Sequence, residues 1–352
     1  MLRRLRNTKV ARHLMTANNR RHCPVCGHSA ARRCPAALIT LLSFLFPLSS
    51  LLSPIHAQES QTAYNFLRLP VSAHVAALGG DNITLTDDDA TLIFHNPSLI
   101  NGVSDKTVNL NYMTYMEGCK TASAAFVKGI GDRGTWGVIG QHMDYGTLYE
   151  TTADYQELGK FSARDWVLGG SFAYALTNTL NGGITAKIIS SHIAGYSSMA
   201  VSFDLGLNYY NEDNELSLSA VARNLGGQVK AYDDNFERIP LDLQVGFSKR
   251  LGKAPLRFSA TLSRLNNWDE AFGRHLSVGA DILLSEQIYV AAGYNFRRAS
   301  QMKISESDGS SAHGAGLSIG AGLSLERFKL HVAYGKYHVS ASSLLFNVSY
   351  TL

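Results

Sequence analysis

Cysteine is almost absent from the part of this 352-residue chain that would fold: three of its four cysteines, Cys23, Cys26 and Cys34, lie in the first 57 residues, and only Cys119 follows. Acidic residues are missing from that same stretch, which carries nine Arg or Lys and no Asp or Glu; without it the net charge of +4 becomes 23 − 28, or −5. A basic segment, an apolar run from Ala36 to Leu52 and the small Ala57 before Gln58 describe a secretory signal peptide over residues 1–57. The run falls short of the ~20 residues a spanning helix needs, and Pro47 and Pro54 interrupt it, which favours a signal peptide over the alternative of a transmembrane anchor. The Cys23-x-x-Cys26 pair beside His22 and His28 has zinc-like spacing but lies upstream of the expected cleavage position. The mature chain is therefore expected to have neither a disulfide framework nor a cysteine-based metal site.

Long amphipathic helices are missing too. From residue 106 to the end the hydrophobic period is two: Val201, Phe203, Leu205 and Leu207 alternate with Ser202, Asp204 and Gly206, and Val278, Ala280 and Ile282 alternate with Gly279 and Asp281. Fourteen such segments follow one another between 106–116 and 342–352, each about ten residues long, the length of a tilted membrane strand. Alternation alone does not separate a soluble sandwich from a membrane barrel. The connections do, because every second one is a turn of two or three residues, such as 131–133 and 285–286, while the others include 144–164, 225–238, 266–273 and 298–312. An even strand number with short turns on one rim and long loops on the other is the pattern of an outer-membrane barrel. The expectation is an all-β, 14-stranded antiparallel transmembrane β-barrel over 106–352, both chain ends periplasmic and the long loops extracellular. Trp136, Trp166, Tyr209, Tyr294, Tyr334 and Tyr337 suit interfacial girdles.

The glycine-rich HGAGLSIGAGLSLERF (313–328) lacks the spacing of a dinucleotide loop and is not followed by a helix. Its Gly316, Gly320 and Gly322 share the face opposite Leu317, Ile319 and Leu323, so they are expected to face inward and make room for a plug. Residues 58–105 lack the two-residue period and are expected to form that plug, a small N-terminal hatch. Its acidic run Asp87, Asp88, Asp89 supplies no recognisable cage of the ~6–8 oxygens that calcium requires. The three carboxylates are expected to cap a helix starting near Ala90, which Asn96-Pro97 ends. One Ser-x-x-Lys pair, Ser300 to Lys303, lacks a Lys-Thr-Gly partner, so no acyl-enzyme site follows. His192, His275, His331 and His338 form no Ser/His/Asp pattern.

NFLRLPVSAHVAALGGDNI (65–83), DDDATLIFHNPSLI (87–100), FSARDW (161–166), RNLGGQV (223–229) and KAPLRFS (253–259) together resemble the PorV/PorQ group of FadL-like barrels of the type IX secretion system, from about residue 60 to the end. The resemblance implies a non-enzymatic outer-membrane anchor without cofactor or metal. It implies that the barrel holds the surface protein PorZ directly, with PorU and PorV in the same complex, where cargo is cleaved and joined to lipopolysaccharide among outer-membrane lipids. No nucleic acid is involved in such a role. Asp87, Asp88, Asp89, Asn96 and Pro97 match the hatch motif of FadL-like barrels. Partner contacts are expected on the long loops, at Tyr145, Tyr149, Tyr155, Tyr232, Phe236, Trp268 and Phe272, where aromatics stand among polar residues. Transport of hydrophobic small molecules is the competing function that a FadL-like barrel implies.

Overall fold

The computed structural model describes residues 62–352, apart from 117, 152–155, 253, 303, 307–308, 312–313 and 339–340. The expected signal peptide and Tyr155 lie outside the described residues. Fourteen antiparallel strands close into a barrel: β1 (Thr107–Thr114), β2 (Lys120–Ile130), β3 (Gly134–Thr151), β4 (Glu157–Ala175), β5 (Leu180–Ile193), β6 (Tyr196–Asn211), β7 (Leu216–Lys230), β8 (Asp242–Arg250), β9 (Leu256–Leu262), β10 (Leu276–Leu283), β11 (Ile288–Asn295), β14 (Leu317–Ser324), β15 (Phe328–Gly335) and β16 (Ser343–Thr351). Two short strands between β11 and β14, β12 (Ile304–Glu306) and β13 (Gly309–Ser311), pair only with each other. Neighbours in sequence are neighbours in the wall, and β16 pairs with β1 from Thr107↔Thr351 to Met113↔Leu345. No sheet edge is left for lipid to meet, which is what a strand-built span requires.

Period-two alternation fixes which face each residue takes. On the outside, Leu110, Leu168, Ile188 and Leu317 are more than half exposed. On the inside, their neighbours Asn109, Thr185, Lys187 and Ser318 are buried. A polar interior inside a continuous apolar exterior suits a wall solvated by hydrocarbon. Trp166, Tyr209, Tyr294 and Tyr334 do stand on this outer face. Tyr337 does not: its ring turns inward against the Arg298 guanidinium, 4.4 Å away.

Three of the expected loops prove partly ordered. β3 and β4 continue past the rim as a hairpin, Thr147↔Ser162 to Thr151↔Glu157, so most of the expected 144–164 loop is strand. A bulge at Asp144/Thr147 with Gly146 at φ 74° marks where this extension leaves the wall. β7 likewise runs to Lys230, into the expected 225–238 loop. The 298–312 segment carries a short helix, α2 (Phe296–Gln301), and the β12/β13 hairpin. Asn295 caps α2 through its side chain, ending β11 by offering the chain a helical start.

The residues before β1 fill the lumen. Thr62 bridges to Arg238 and Tyr64 bonds to Ser198 at the long-loop rim, and the chain then descends to the short-turn rim where β1 begins. The end of β16 lies at the short-turn rim, and the first described residue lies at the opposite one. A five-residue helix, α1 (Ala73–Ala77), starts on a Ser72 cap, and two 3-10 turns follow at Ala90–Phe94 and Pro97–Gly102. Val75, Leu78, Ile83, Leu85, Leu92, Ile93 and Ile100 are buried in this plug. They pack against inward residues of the wall such as Met113, Ala291, Ala333 and Leu345 for the α1 side, and Val127, Ile139 and Ala173 for the 3-10 turns.

Candidate functional site

The plug sits against the wall where the wall has no side chain. A Cβ placed on Gly183 would lie 2.4 Å from the Pro97 carbonyl carbon and the Ser98 nitrogen, and one on Gly293 would lie 2.2 Å from the Leu78 carbonyl carbon. Both clashes are with backbone, which no rotamer change relieves. Gly320 serves the same end in the glycine-rich segment, its missing Cβ occupying space 2.7 Å from Ala77 Cβ. Of the three glycines expected to make room for the plug, Gly320 does so, whereas Gly316 lies against Ala299 and Tyr294 and Gly322 against Tyr289 and His331.

The acidic run does not act as one unit. Only Asp89 caps a 3-10 turn, accepting from the Thr91 backbone N–H at 2.9 Å. Asp88 turns to the wall, pairing with Lys329 Nζ at 2.5 Å and accepting from Ser104 N–H at 2.8 Å. Asp87 takes two donors from Arg257, Nη1 at 2.6 Å and Nη2 at 2.8 Å. The reason is topological: β15 and β9 bring their cations to the point where the plug chain turns, and a paired cation outcompetes the weak field of a short helix end. Asn96 and Pro97 also differ from expectation, opening a second 3-10 turn rather than only closing the first. Asn96 Oδ1 accepts from the Ser98 N–H and O–H, and its Nδ2 donates to the Ile83 carbonyl at 3.0 Å.

Around Arg257 the plug and wall share a buried ionic network that the sequence pattern gave no sign of. Arg257 Nε donates to Asp281 Oδ2 at 2.7 Å, and Asp281 Oδ1 meets His74 Nε2 of α1 at 2.8 Å. The other ring nitrogen of His74 lies 3.3 Å from Asp87. Tyr289 stacks on His74 with ring centres 3.8 Å apart, and its hydroxyl meets His331 Nδ1 at 2.8 Å. Burial alone would raise the Asp87 carboxyl, yet Arg257, aided by His74 and His331, outweighs it and holds that group well below the usual carboxylate range. His74 lies 207 positions from Asp281, and only alternation placed Arg257 and Asp281 on the inner face. Further clamps act on plug backbone: Asn347 of β16 donates to the Val71 carbonyl at 3.1 Å and accepts from the Ala73 N–H. Arg223 donates to the Leu67 carbonyl at 3.1 Å. Asp87, Asp281, His74 and Arg257 are thus paired with one another and fix the plug to the wall.

At mid-height the gap between plug and wall, lined by Val71, Ile139, Lys187 and Arg223 among others, is about 20 Å³, room for about one water. Larger cavities lie at the two mouths: about 410 Å³ at the long-loop rim and about 310 Å³ beside Asp87 and Arg257 at the short-turn rim.

The loop aromatics divide into two groups. Tyr145 and Tyr232 point inward, donating to Asp165 Oδ2 at 2.7 Å and Ser191 Oγ at 2.5 Å. Phe236, Trp268 and Phe272 are each 60% exposed or more, and Tyr149 on the hairpin is half exposed with Lys160 over its ring.

No protein-family model and no curated protein sequence matches the chain. Solved structures do. The monoaromatic hydrocarbon channel CymD superposes with a TM-score of 0.51 at 14% identity, covering 82% of this chain and 98% of that one. A deltaS2 mutant of TodX, described for Pseudomonas putida as a toluene transporter, gives 0.51 at 13% identity over 79% and 97%. A Pseudomonas aeruginosa FadL homologue gives 0.47 at 12% identity over 80% and 98%. The closed apolar-belted wall, the N-terminal plug and the likenesses to CymD and to the TodX deltaS2 mutant together show the fold: a closed 14-stranded antiparallel β-barrel of the outer-membrane type with an N-terminal plug in its lumen.

Proposed function

We propose that this barrel is a non-enzymatic outer-membrane anchor whose long-loop rim faces outward and docks a surface protein. The supporting observation is that the lumen is filled by a plug tied to β6, β7, β8, β10, β11 and β16 by buried polar bonds, while Phe236, Trp268 and Phe272 stand exposed on the rim above it. A fixed plug serves a tether, and exposed aromatics framed by polar residues suit a protein interface. The sequence resemblance to the PorV/PorQ group names the partner: a PorZ-like protein, held beside PorU and PorV where cargo is joined to lipopolysaccharide. In this reading the short-turn rim faces the periplasm.

Replacing Phe236, Trp268 and Phe272 with Asp, and separately removing residues 146–158, tests it by measuring how much PorZ-like protein stays with cells. Loss of retention with a normally inserted barrel is the expected result; full retention in both variants refutes the reading. Transport of hydrophobic small molecules is the second reading, favoured by the fold shared with hydrocarbon channels. Uptake of labelled toluene or fatty acid by liposomes carrying the purified barrel decides for it.

A further inference from the structure

On the outer face of the wall, at the long-loop margin of the apolar belt, one cross-strand rung gathers basic side chains from successive strands. Lys120 of β2 stands opposite Asp144 of β3, Asp144 opposite Arg164 of β4, Arg164 opposite His192 of β5, and His192 opposite Ser197 of β6. Lys120, Arg164 and His192 are exposed, and alternation turns them outward, since their neighbours Thr121, Ala163, Asp165 and Ser191 are buried. Lys230 of β7 extends the row, donating to Ser197 Oγ at 2.6 Å.

One carboxylate stands among these three cations. Asp144 turns to the bulge, where its Oδ1 accepts the Gly146 N–H at 3.0 Å, and neither Lys120 nor Arg164 has an ion pair or hydrogen bond among the described residues. Asp165 faces the lumen and is bonded to Tyr145. Glu150 and Glu157 lie on the hairpin, about 15 Å or more along the strands from the rung. On the belt side of the rung, Trp166 is half exposed and stacks on His142 with ring centres 3.9 Å apart. The three rungs that begin there carry no Asp, Glu, Lys or Arg at the outward positions of β2 to β6; they include Val138, Leu168, Ile188 and Phe203, each more than 40% exposed. An indole at the margin of a hydrocarbon-facing surface marks the level at which lipid headgroups lie.

We propose that this margin of the β2–β6 wall docks a lipid with an anionic phosphate headgroup, its acyl chains lying along the apolar rungs beside Trp166. Lys120 and Arg164 are two strands apart, about 10 Å between backbones, a span that two long side chains close around one phosphate. The planar Arg164 fork matches phosphate oxygens, and Lys120 adds a point charge from the other side. A soluble anion would gain the charges alone, whereas a lipid also covers the apolar rungs. The inference needs only that the belt meets hydrocarbon, whatever the loops dock.

The test uses the full barrel with Trp136→Phe and Trp268→Phe, which leaves Trp166 as the single indole of the chain. It is reconstituted in phosphatidylcholine vesicles containing a small fraction of brominated phosphatidic acid or, separately, brominated phosphatidylcholine, and quenching of Trp166 reports which lipid sits beside Arg164. Phosphatidic acid should be preferred by about fivefold or more, the preference shrinking as sodium chloride is raised. Lys120→Gln combined with Arg164→Gln, at two exposed positions without partners among the described residues, should bring the two lipids to within about twofold of each other. Lys128→Gln, exposed at the opposite margin of the belt on β2, should leave the preference intact. Equal quenching by the two lipids, a preference that the double substitution leaves unchanged, or one that Lys128→Gln abolishes as fully, overturns the proposal.

Discussion

Arg257→Met removes the cation at the centre of the plug latch and leaves a side chain of similar length. Three charge-assisted bonds disappear: Nε to Asp281 at 2.7 Å, Nη1 to Asp87 at 2.6 Å and Nη2 to Asp87 at 2.8 Å. Their losses are unequal. The Asp281 carboxylate has no solvent exposure and is left with His74 alone, the situation in which breaking a buried pair costs about 3–5 kcal/mol. The Asp87 side chain is 37% exposed to the short-turn mouth, so water takes over much of its share and it adds about 1 kcal/mol or less. Arg257 and Asp281 both belong to the wall, so that pair survives plug opening and its loss weighs on the β9–β10 wall; the plug-opening equilibrium loses the Asp87 bonds and should shift by about 1 kcal/mol, roughly fivefold in rate of amide hydrogen exchange. The assay is exchange at the α1 amides, read by mass spectrometry in detergent micelles, with β4 and β6 amides as the reference for the intact wall. Adding Asp281→Asn to Arg257→Met removes the orphaned charge from the wall and should recover much of the barrel's stability to denaturant without restoring the α1 protection. If α1 exchange in Arg257→Met stays within about threefold of the parent while the barrel is folded, the ionic network is not what holds the plug, and the reasoning fails.

Two further outcomes are expected. His95 accepts the Val71 and Ser72 backbone N–H groups on Nε2 at 3.3 and 3.2 Å and is fully buried, and burial first and then the Arg223 charge hold its pKa well below the ordinary 6.5. A depressed folded pKa means the unfolded state takes up the proton first as pH falls. Its share of stability is therefore complete above about pH 6.5 and declines by up to about 1.4 kcal/mol per unit below it. Denaturant titrations from pH 7.5 to 5 should show that slope, and His95→Gln, which still offers an acceptor, should flatten it. On the outer face, Leu205→Arg places a charge in the apolar belt, six residues from the end of β6, and should cost about 2–4 kcal/mol in lipid vesicles; a neutral effect there would mean that this face does not meet hydrocarbon.

The strand count, the inward and outward faces and the placement of the short turns were legible because alternation is a local signal and a bilayer sorts connections by side. Gly320 was legible as a seat for the plug for the same reason: its position on the inner face follows from counting by two. The hairpin extension of β3 and β4 was not, since Tyr149 and Lys160 lie among polar residues that read as loop, and only cross-strand pairing orders them. Asp87, Asp88 and Asp89 stood out as a run, but their three different fates depend on Arg257 and Lys329, about 170 and 241 positions away. His74 gave no signal at all within AHVAA. The row of Lys120, Arg164 and His192 was hidden likewise, because each alone in its segment reads as a solvated side chain.

Asn347 joins two boundaries in one side chain. Its Nδ2 donates both to Asn111 of β1, across the seam that closes the cylinder, and to the plug backbone at Val71, while its Oδ1 receives the Ala73 N–H. The plug is synthesised first and β16 last, so this residue reaches its partners only when the final strand comes home. A barrel zipped shut around an empty lumen would leave that amide half satisfied. Insertion of the plug and sealing of the wall are thus set up as one cooperative event, with the hatch acting as the mandrel on which the last seam is drawn tight.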